Sequence, residues 1–182
     1  MADVLLLHGF KCSSQSYFFP HLKGYLEKAG HSVFAPDFPA PETPDIDAWT
    51  AIVDGLPVHR FDLVVGHSLG GCLAYSMLTR GRLAAGTLAV IGASPGPKEN
   101  VHMNTFLKYP LDFAAINKRV GKTLVIHSLD DPWTYPEYAL VSLRETKGLA
   151  LLYADKGHFE TPSLPEDVLA AFDAALAART TP

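Results

Sequence analysis

Three polar residues in separate parts of the sequence have the chemistry needed for nucleophilic catalysis. Ser68 lies in the segment GHSLG (66–70), which fits the pattern G-x-S-x-G between an apolar run and a helix-like stretch. In that context the serine sits on a tight turn with a positive φ, where glycine is favoured two positions before and after it. A serine hydroxyl is a useful nucleophile only when a base accepts its proton and a third group orients that base.

Candidates for the base and the orienting acid follow the last two apolar runs of the sequence. Asp130 and Asp131 lie in SLDDPW (128–133), and His158 lies in DKGHF (155–159). The order Ser, Asp, His is the one expected when G-x-S-x-G joins a strand to a helix. Each residue also has a simpler interpretation: Ser68 as a helix N-cap, Asp131 as the start of a proline turn, and His158 as an exposed loop residue.

The elements that must position these residues are indicated by short apolar runs. The runs are rich in Val, Leu and Ile, and their hydrophobicity is continuous, which is typical of parallel strands covered on both faces. They span residues 4–9, 32–38, 62–68, 85–94, 122–131 and 149–158. Helical patterns fill 14–31, 44–56, 68–81, 135–148 and 163–179, with Asp45 and Ser163 as candidate N-caps.

This alternation predicts a three-layer α/β fold in which helices flank a mostly parallel sheet of about six strands. Residues 1–182 are expected to form a single domain. Since the carboxyl ends of parallel strands lie along one edge, Ser68, His158 and either Asp130 or Asp131 should meet there. The other polar strand ends at this edge are His8 to Phe10, Asp37 and Ser94.

One Pro-rich and only partly periodic segment, 95–121, follows the fourth apolar run. It is predicted to be a short irregular insertion that covers the site and is too small for a large cap domain. Aromatic side chains in loops at the same edge are predicted to line a substrate pocket. These are Phe106, Tyr109, Trp133 and Phe159.

Composition excludes several classes of function. The 182 residues carry a formal net charge of −4 with no basic run, which disfavours a nucleic-acid partner. The two cysteines are too few for a disulfide framework, and the N-terminus resembles neither a signal peptide nor a membrane span, so a cytoplasmic protein is expected. His8, His127 and Asp130 lack a recognised metal-ligand spacing, and neither a metal nor a cofactor is expected.

Four segments, in this order, resemble the landmarks of the α/β-hydrolase superfamily: LLHGF, VVGHSLGG, HSLDDPW and KGHF. The short chain is similar to small serine hydrolases of the retinoblastoma-binding-protein type. The resemblance implies Ser68 as nucleophile, Asp131 as acid and His158 as base, with the backbone N–H groups of Phe10 and Leu69 forming the oxyanion hole. DPWTYP departs from the superfamily's D-x-x-V-P continuation by placing its proline one position later.

The leading functional hypothesis is a serine hydrolase that cleaves carboxylic esters through a Ser-His-Asp triad and an acyl-enzyme intermediate. The alternatives are a thioesterase or another acyl hydrolase, or a non-catalytic interaction protein on the same fold. The sequence contains no L-x-C-x-E segment that would support binding to retinoblastoma protein. The expected partner is therefore a small acyl ester or thioester, and the sequence does not define an oligomeric state.

Overall fold

The core of the protein is a six-stranded sheet in which every neighbouring pair of strands is parallel. The computed structural model describes residues 1–96 and 103–178. The strands are β1 (Asp3–Leu7), β2 (Ser32–Phe34), β3 (Arg60–His67), β4 (Ala84–Ile91), β5 (Val120–Ser128) and β6 (Leu149–Tyr153). Their order in the sheet is β2-β1-β3-β4-β5-β6, so β1 and β3 lie side by side.

Helices connect the strands and pack on both faces of the sheet. They are α1 (Phe19–Lys28), α2 (Ile46–Asp54), α3 (Leu69–Thr79), α4 (Phe113–Asn117), α5 (Pro136–Thr146) and α6 (Glu166–Ala177), with a 3₁₀ turn at Asn104–Leu107. Asp45 caps α2 as predicted, because its side chain accepts a hydrogen bond of 2.8 Å from the N–H of Ala48. Within the described ranges, no helix is both long and apolar enough to cross a bilayer.

The last helix begins later than its sequence pattern predicts. Pro165, not Ser163, is the residue that precedes its first turn, and Pro165 is extended with ψ 148°. Proline fixes φ and lacks an N–H group, so it is well suited to this position at the start of a helix. The predicted end of the helix at Arg179 lies outside the described residues.

Alternating side chains divide the core into two layers, one on each face of the sheet. On β1, Leu5 and Leu7 pack in the cluster that includes α2 and α3, whereas Val4 and Leu6 pack in the cluster that includes α1 and α6. Both clusters are almost completely buried, which explains why the strands are apolar at successive positions. The predicted three-layer α/β fold is confirmed.

The chain after β4 is hydrogen-bonded to residues at the start of α2. Of the segment predicted to be an insertion, residues 97–102 lie outside the described ranges, and β5 already begins at Val120. Thr105 Oγ1 accepts a hydrogen bond from Ile46 N and donates one to Pro44 O, both at 3.1 Å. The carboxylate of Asp47 accepts a hydrogen bond of 2.8 Å from the Tyr109 hydroxyl, so this segment is held at two successive points.

Candidate active site

Ser68 forms the sharp turn between β3 and α3. Its backbone has φ 52° and ψ −121°, a conformation that few residues other than glycine adopt. It occupies the N-cap position of α3, but its hydroxyl makes no capping hydrogen bond. A Cβ on Gly66 would lie 2.8 Å from the carbonyl oxygen of Gly70, and one on Gly70 would lie 2.1 Å from Leu7 O. The turn therefore requires both glycines, the second because β1 passes directly beside it.

The loop after β1 lies against this turn. A Cβ on Gly9 would come within 2.9 Å of Ser68 Cβ, so the backbone reaches the serine only because residue 9 is glycine. His8 fixes the loop from behind: its Nε2 accepts a hydrogen bond from Phe38 N, and Nδ1 therefore donates to Gly9 O, each at 3.0 Å.

The two expected oxyanion donors are the backbone N–H groups of Phe10 and Leu69. Both residues line the same cavity as the serine. The N–H group of Leu69 belongs to the first turn of α3, where backbone donors have no partner within the helix. In the described part of the chain, the N–H group of Phe10 has no backbone acceptor. Both expected donors therefore belong to residues that border the cavity, as an oxyanion hole would require.

Asp131 and His158, the expected acid and base, form a buried hydrogen-bonded pair. His158 Nδ1 lies 2.8 Å from Asp131 Oδ2, and the side chains are only 7% and 0% exposed. The other carboxylate oxygen accepts hydrogen bonds from the N–H groups of Trp133 at 2.8 Å and Thr134 at 3.0 Å. Burial opposes ionisation of this carboxyl, but hydrogen bonds from His158 and Thr134 outweigh it and lower the pKa of Asp131 to about 2.

The neighbouring carboxylate, Asp130, has a different role. Its Oδ1 accepts hydrogen bonds from Ser128 Oγ at 2.6 Å and from Gly157 N at 2.8 Å. These bonds lower the pKa of Asp130 and attach the end of β5 to the loop that carries His158. The partner of His158 is thus Asp131, while Asp130 supports the adjacent turn.

His67, the residue before the serine, packs beneath the pair as a neutral ring. Its Nε2 lies 2.8 Å from the carbonyl oxygen of His158 and therefore donates a hydrogen bond to it. The two imidazole centroids are 4.9 Å apart. Burial and the nearby His158 lower the pKa of His67 to about 3. A neutral His67 orients the backbone of His158 without adding a positive charge beside it.

Gly92, directly after β4, makes room for the pair. Its φ is +53°, and a Cβ there would lie 3.1 Å from His158 Nδ1 and 3.2 Å from Asp131 Oδ2. Glycine therefore meets both a conformational and a steric requirement at this position. The sequence analysis did not identify this role of Gly92. The one sequence feature that could have indicated it is the glycine directly after the apolar run in VIGAS (90–94).

Ser68 and His158 both line a cavity of about 570 Å³ at the carboxyl edge of the sheet. Of the four aromatic residues predicted to form the pocket, the structure places only Trp133 in the lining. Phe106 instead packs edge-on against the Trp49 ring, with centroids 5.4 Å apart. Tyr109 lies beneath the Arg80 guanidinium at 4.2 Å.

Phe159, the fourth predicted aromatic residue, is 1% exposed in the core. Loop residues have no periodicity from which the direction of a side chain can be read, so their position at the edge of the sheet does not show whether they face the cavity or the core. Several lining residues were missed for the same reason: Tyr17, Met103, Thr134, Tyr138 and Glu160.

Two cysteines also line the cavity, and neither has the properties of a nucleophile. Cys12 Sγ is 3.2 Å from Phe10 O, and Cys72 Sγ is 3.3 Å from Ser94 O. Burial raises the pKa of both thiols, that of Cys72 to about 11, so both are protonated near neutral pH. Among the described residues, no group of three or more His, Cys, Asp or Glu side chains is arranged to hold a metal ion.

A parallel sheet, a strained serine at a strand–helix turn and a buried acid–base pair after the last two strands define the α/β-hydrolase class. The chain belongs to the alpha/beta hydrolase family, whose family model matches residues 4–180. No match was found among curated proteins.

Solved structures with the same fold include the ydeN gene product from B. subtilis. It is 22% identical with a TM-score of 0.85, and the alignment covers 96% of this chain and 100% of that one. A methylesterase from Arabidopsis is 16% identical with a TM-score of 0.72, covering 97% and 99%. An esterase from Thermogutta terrifontis is 16% identical with a TM-score of 0.76, covering 100% and 91%. At these identities the similarity establishes the fold alone.

Proposed function

We propose that the protein is a serine hydrolase that cleaves carboxylic esters, with Ser68, His158 and Asp131 as its catalytic triad. The observation that carries the proposal is the buried 2.8 Å contact of His158 with Asp131 beside a cavity that Ser68 also lines. A serine that served only as a helix cap would need neither the strained backbone nor this pair. Membership in a hydrolase family, with esterases among its structural neighbours, supports the same chemistry.

The proposed reaction follows from the chemistry of these groups. Ser68 Oγ attacks the acyl carbonyl carbon while His158 Nε2 accepts the hydroxyl proton, and Asp131 stabilises the resulting imidazolium. The N–H groups of Phe10 and Leu69 donate to the oxyanion of the tetrahedral intermediate. His158 then protonates the departing alcohol, leaving an acyl-serine. Water, deprotonated by the same imidazole, hydrolyses that ester and restores Ser68.

The cavity favours small acyl or aryl esters. Its volume of about 570 Å³ lies within the usual range for small-molecule sites. Phe10, Met103, Trp133 and Tyr138 supply apolar lining beside the triad. Met103 comes from the segment after β4, which supports the proposal that this segment borders the site within a single-domain enzyme without a large cap.

A fluorophosphonate probe tests the nucleophile directly, because an activated serine displaces its fluoride and becomes phosphonylated. We expect stoichiometric labelling of the wild type, and none for Ser68→Ala, with the adduct mapped to Ser68 by peptide mass spectrometry. The matched control is Ser94→Ala, another serine of the cavity lining, which should still be labelled. Labelling that persists in Ser68→Ala would overturn the proposal.

Steady-state rates on short p-nitrophenyl esters and on matched acyl-CoA thioesters define the substrate class. The proposal expects a higher kcat/KM for the esters. A clear preference for the thioesters would keep the triad but replace the esterase assignment. Absence of turnover on both classes, together with absence of labelling, would favour a non-catalytic protein.

A further inference from the structure

Besides the imidazole of His158 and two backbone N–H groups, the carboxylate of Asp131 accepts a hydrogen bond from a side-chain hydroxyl, which the pair with His158 alone does not require. Thr134 Oγ1 lies 2.6 Å from Asp131 Oδ2, the same oxygen that accepts the hydrogen bond from His158. With the two N–H donors on Oδ1, the carboxylate accepts four hydrogen bonds, which uses all of its lone-pair positions. The Asp131 side chain is fully buried, so water cannot replace a missing donor.

Thr134 is itself held on two sides. Its carbonyl oxygen accepts a hydrogen bond from His127 Nε2 at 3.2 Å, and the oxygen of Gly92 lies 3.2 Å from its hydroxyl. The Asp131 carboxylate and the Gly92 carbonyl can only accept, so the Thr134 hydroxyl is the donor, and its shorter contact is the one to Asp131. The threonine is thereby fixed between β4 and β5, the strands that precede Gly92 and the Asp131 turn.

The backbone and the side chain of Thr134 contribute separately to this arrangement. Any residue except proline supplies the N–H group that holds Oδ1 of Asp131. The hydroxyl adds a contact to Oδ2, where it restricts rotation of the carboxylate plane that His158 requires. A turn formed for local stability would need the first contact and not the second.

We propose that Thr134 is a positioning residue whose hydroxyl fixes the Asp131 carboxylate for its hydrogen bond to His158. The inference rests on the proposed triad and extends it by one residue. Hydrogen bonds to charged groups are strong enough that losing this one should slow activation of Ser68 by about tenfold to a hundredfold.

Two substitutions separate the hydroxyl from the shape of the side chain. Thr134→Val keeps the branched shape and removes the hydroxyl, whereas Thr134→Ser keeps the hydroxyl and removes the methyl group. Thr87→Val is the matched control, since it makes the same exchange at a buried threonine in β4. The measurement is the second-order rate of fluorophosphonate labelling, with folding verified by thermal unfolding.

We expect Thr134→Val to be labelled about tenfold to a hundredfold more slowly, and Thr134→Ser and Thr87→Val to stay within about threefold of the wild type. Equal slowing in the valine and serine variants, or wild-type labelling of Thr134→Val, would overturn the inference. If the valine variant does not fold, Thr134→Ala compared with Thr134→Ser makes the same distinction.

A spectroscopic measurement separates this inference from the proposed function. The proton between His158 Nδ1 and Asp131 should give a low-field NMR resonance, identified by its loss in His158→Gln. Removing the second donor from Oδ2 should shift that resonance in Thr134→Val and leave it in place in Thr134→Ser. Absence of labelling in the wild type would refute the hydrolase, whereas an unchanged resonance in Thr134→Val would refute the positioning role.

Discussion

Replacing the buried imidazole next to the serine should remove part of the acid sensitivity of the fold. His67 is completely buried, and its pKa falls from the ordinary 6.5 to about 3 because of burial and the nearby His158. Its Nδ1 is also buried and has no hydrogen-bond partner in the described part of the chain, so a proton placed there would be unsatisfied. The folded protein therefore resists protonation of this ring, whereas the unfolded chain does not.

The direction and size of the pH effect on the free energy of unfolding follow from this difference in protonation. Between pH 6.5 and about 3, the unfolded chain binds a proton at residue 67 that the folded protein does not bind. Stability from this group is therefore complete above pH 6.5 and falls by about 1.4 kcal/mol for each pH unit below it. At pH 5, roughly 1.5 units lower, the free energy of unfolding should be about 2 kcal/mol smaller than at pH 7.5 from His67 alone.

The measurement is urea unfolding of the wild type and of His67→Gln at pH 7.5 and pH 5. The substitution lowers the free energy of unfolding at both pH values. The decrease in that free energy from pH 7.5 to pH 5, however, should be about 2 kcal/mol smaller in the variant than in the wild type. The pKa values of His8 and His127 are also lowered by burial, and their contributions are present in both proteins and cancel. An identical loss in wild type and variant would refute the assignment of a neutral His67.

The remaining predictions concern the acid–base pair. Asp131→Asn should reduce kcat on a p-nitrophenyl ester by about 10⁴ because the amide stabilises the wrong imidazole tautomer, whereas Asp130→Asn should reduce it by less than about tenfold; similar losses in the two variants would contradict the assignment of roles. Gly92→Ala should lower kcat by about tenfold to a hundredfold and destabilise the fold by about 1–3 kcal/mol, since its Cβ would press on His158 and strain a positive φ. Wild-type kinetics in Gly92→Ala, measured beside its thermal unfolding, would show that the pair tolerates displacement.

The parts of the site that sequence predicted are those governed by local geometry and topology. A serine between two glycines at a strand–helix boundary has few alternatives to a strained turn, and the carboxyl ends of parallel strands must share an edge. The structure accordingly brings Asp131 and His158 into contact although 27 positions separate them. The preference for Asp131 over Asp130 came from the resemblance to the superfamily, because the direction in which each carboxylate points cannot be read from the residues themselves.

The parts that sequence did not predict depend on the direction of side chains in loops. Thr134 reaches the carboxylate because the turn after Asp131 folds back on itself, and the letters DPWT do not specify that contact. Phe106 and Phe159 are buried in the core although they flank the site in sequence, since a loop aromatic packs wherever it excludes most water. Ser163 had the right chemistry for a cap but lies too far ahead of the helix that begins after Pro165.

The close approach of Gly9 to Ser68 shows that one side of the cavity is formed by the ends of sheet strands, whereas the other side is formed by residues outside the sheet. Ser68, Phe10 and Leu69 follow directly from β1 and β3, whose paired registers hold them in place, so moving one of them would mean breaking the middle of the sheet. Met103 and Trp133 face the same space from segments between the helices and strands, and Tyr138 faces it from the first turn of α5; none of the three belongs to the sheet. A search for variants with altered ester preference should therefore diversify these three positions and leave the strand ends untouched.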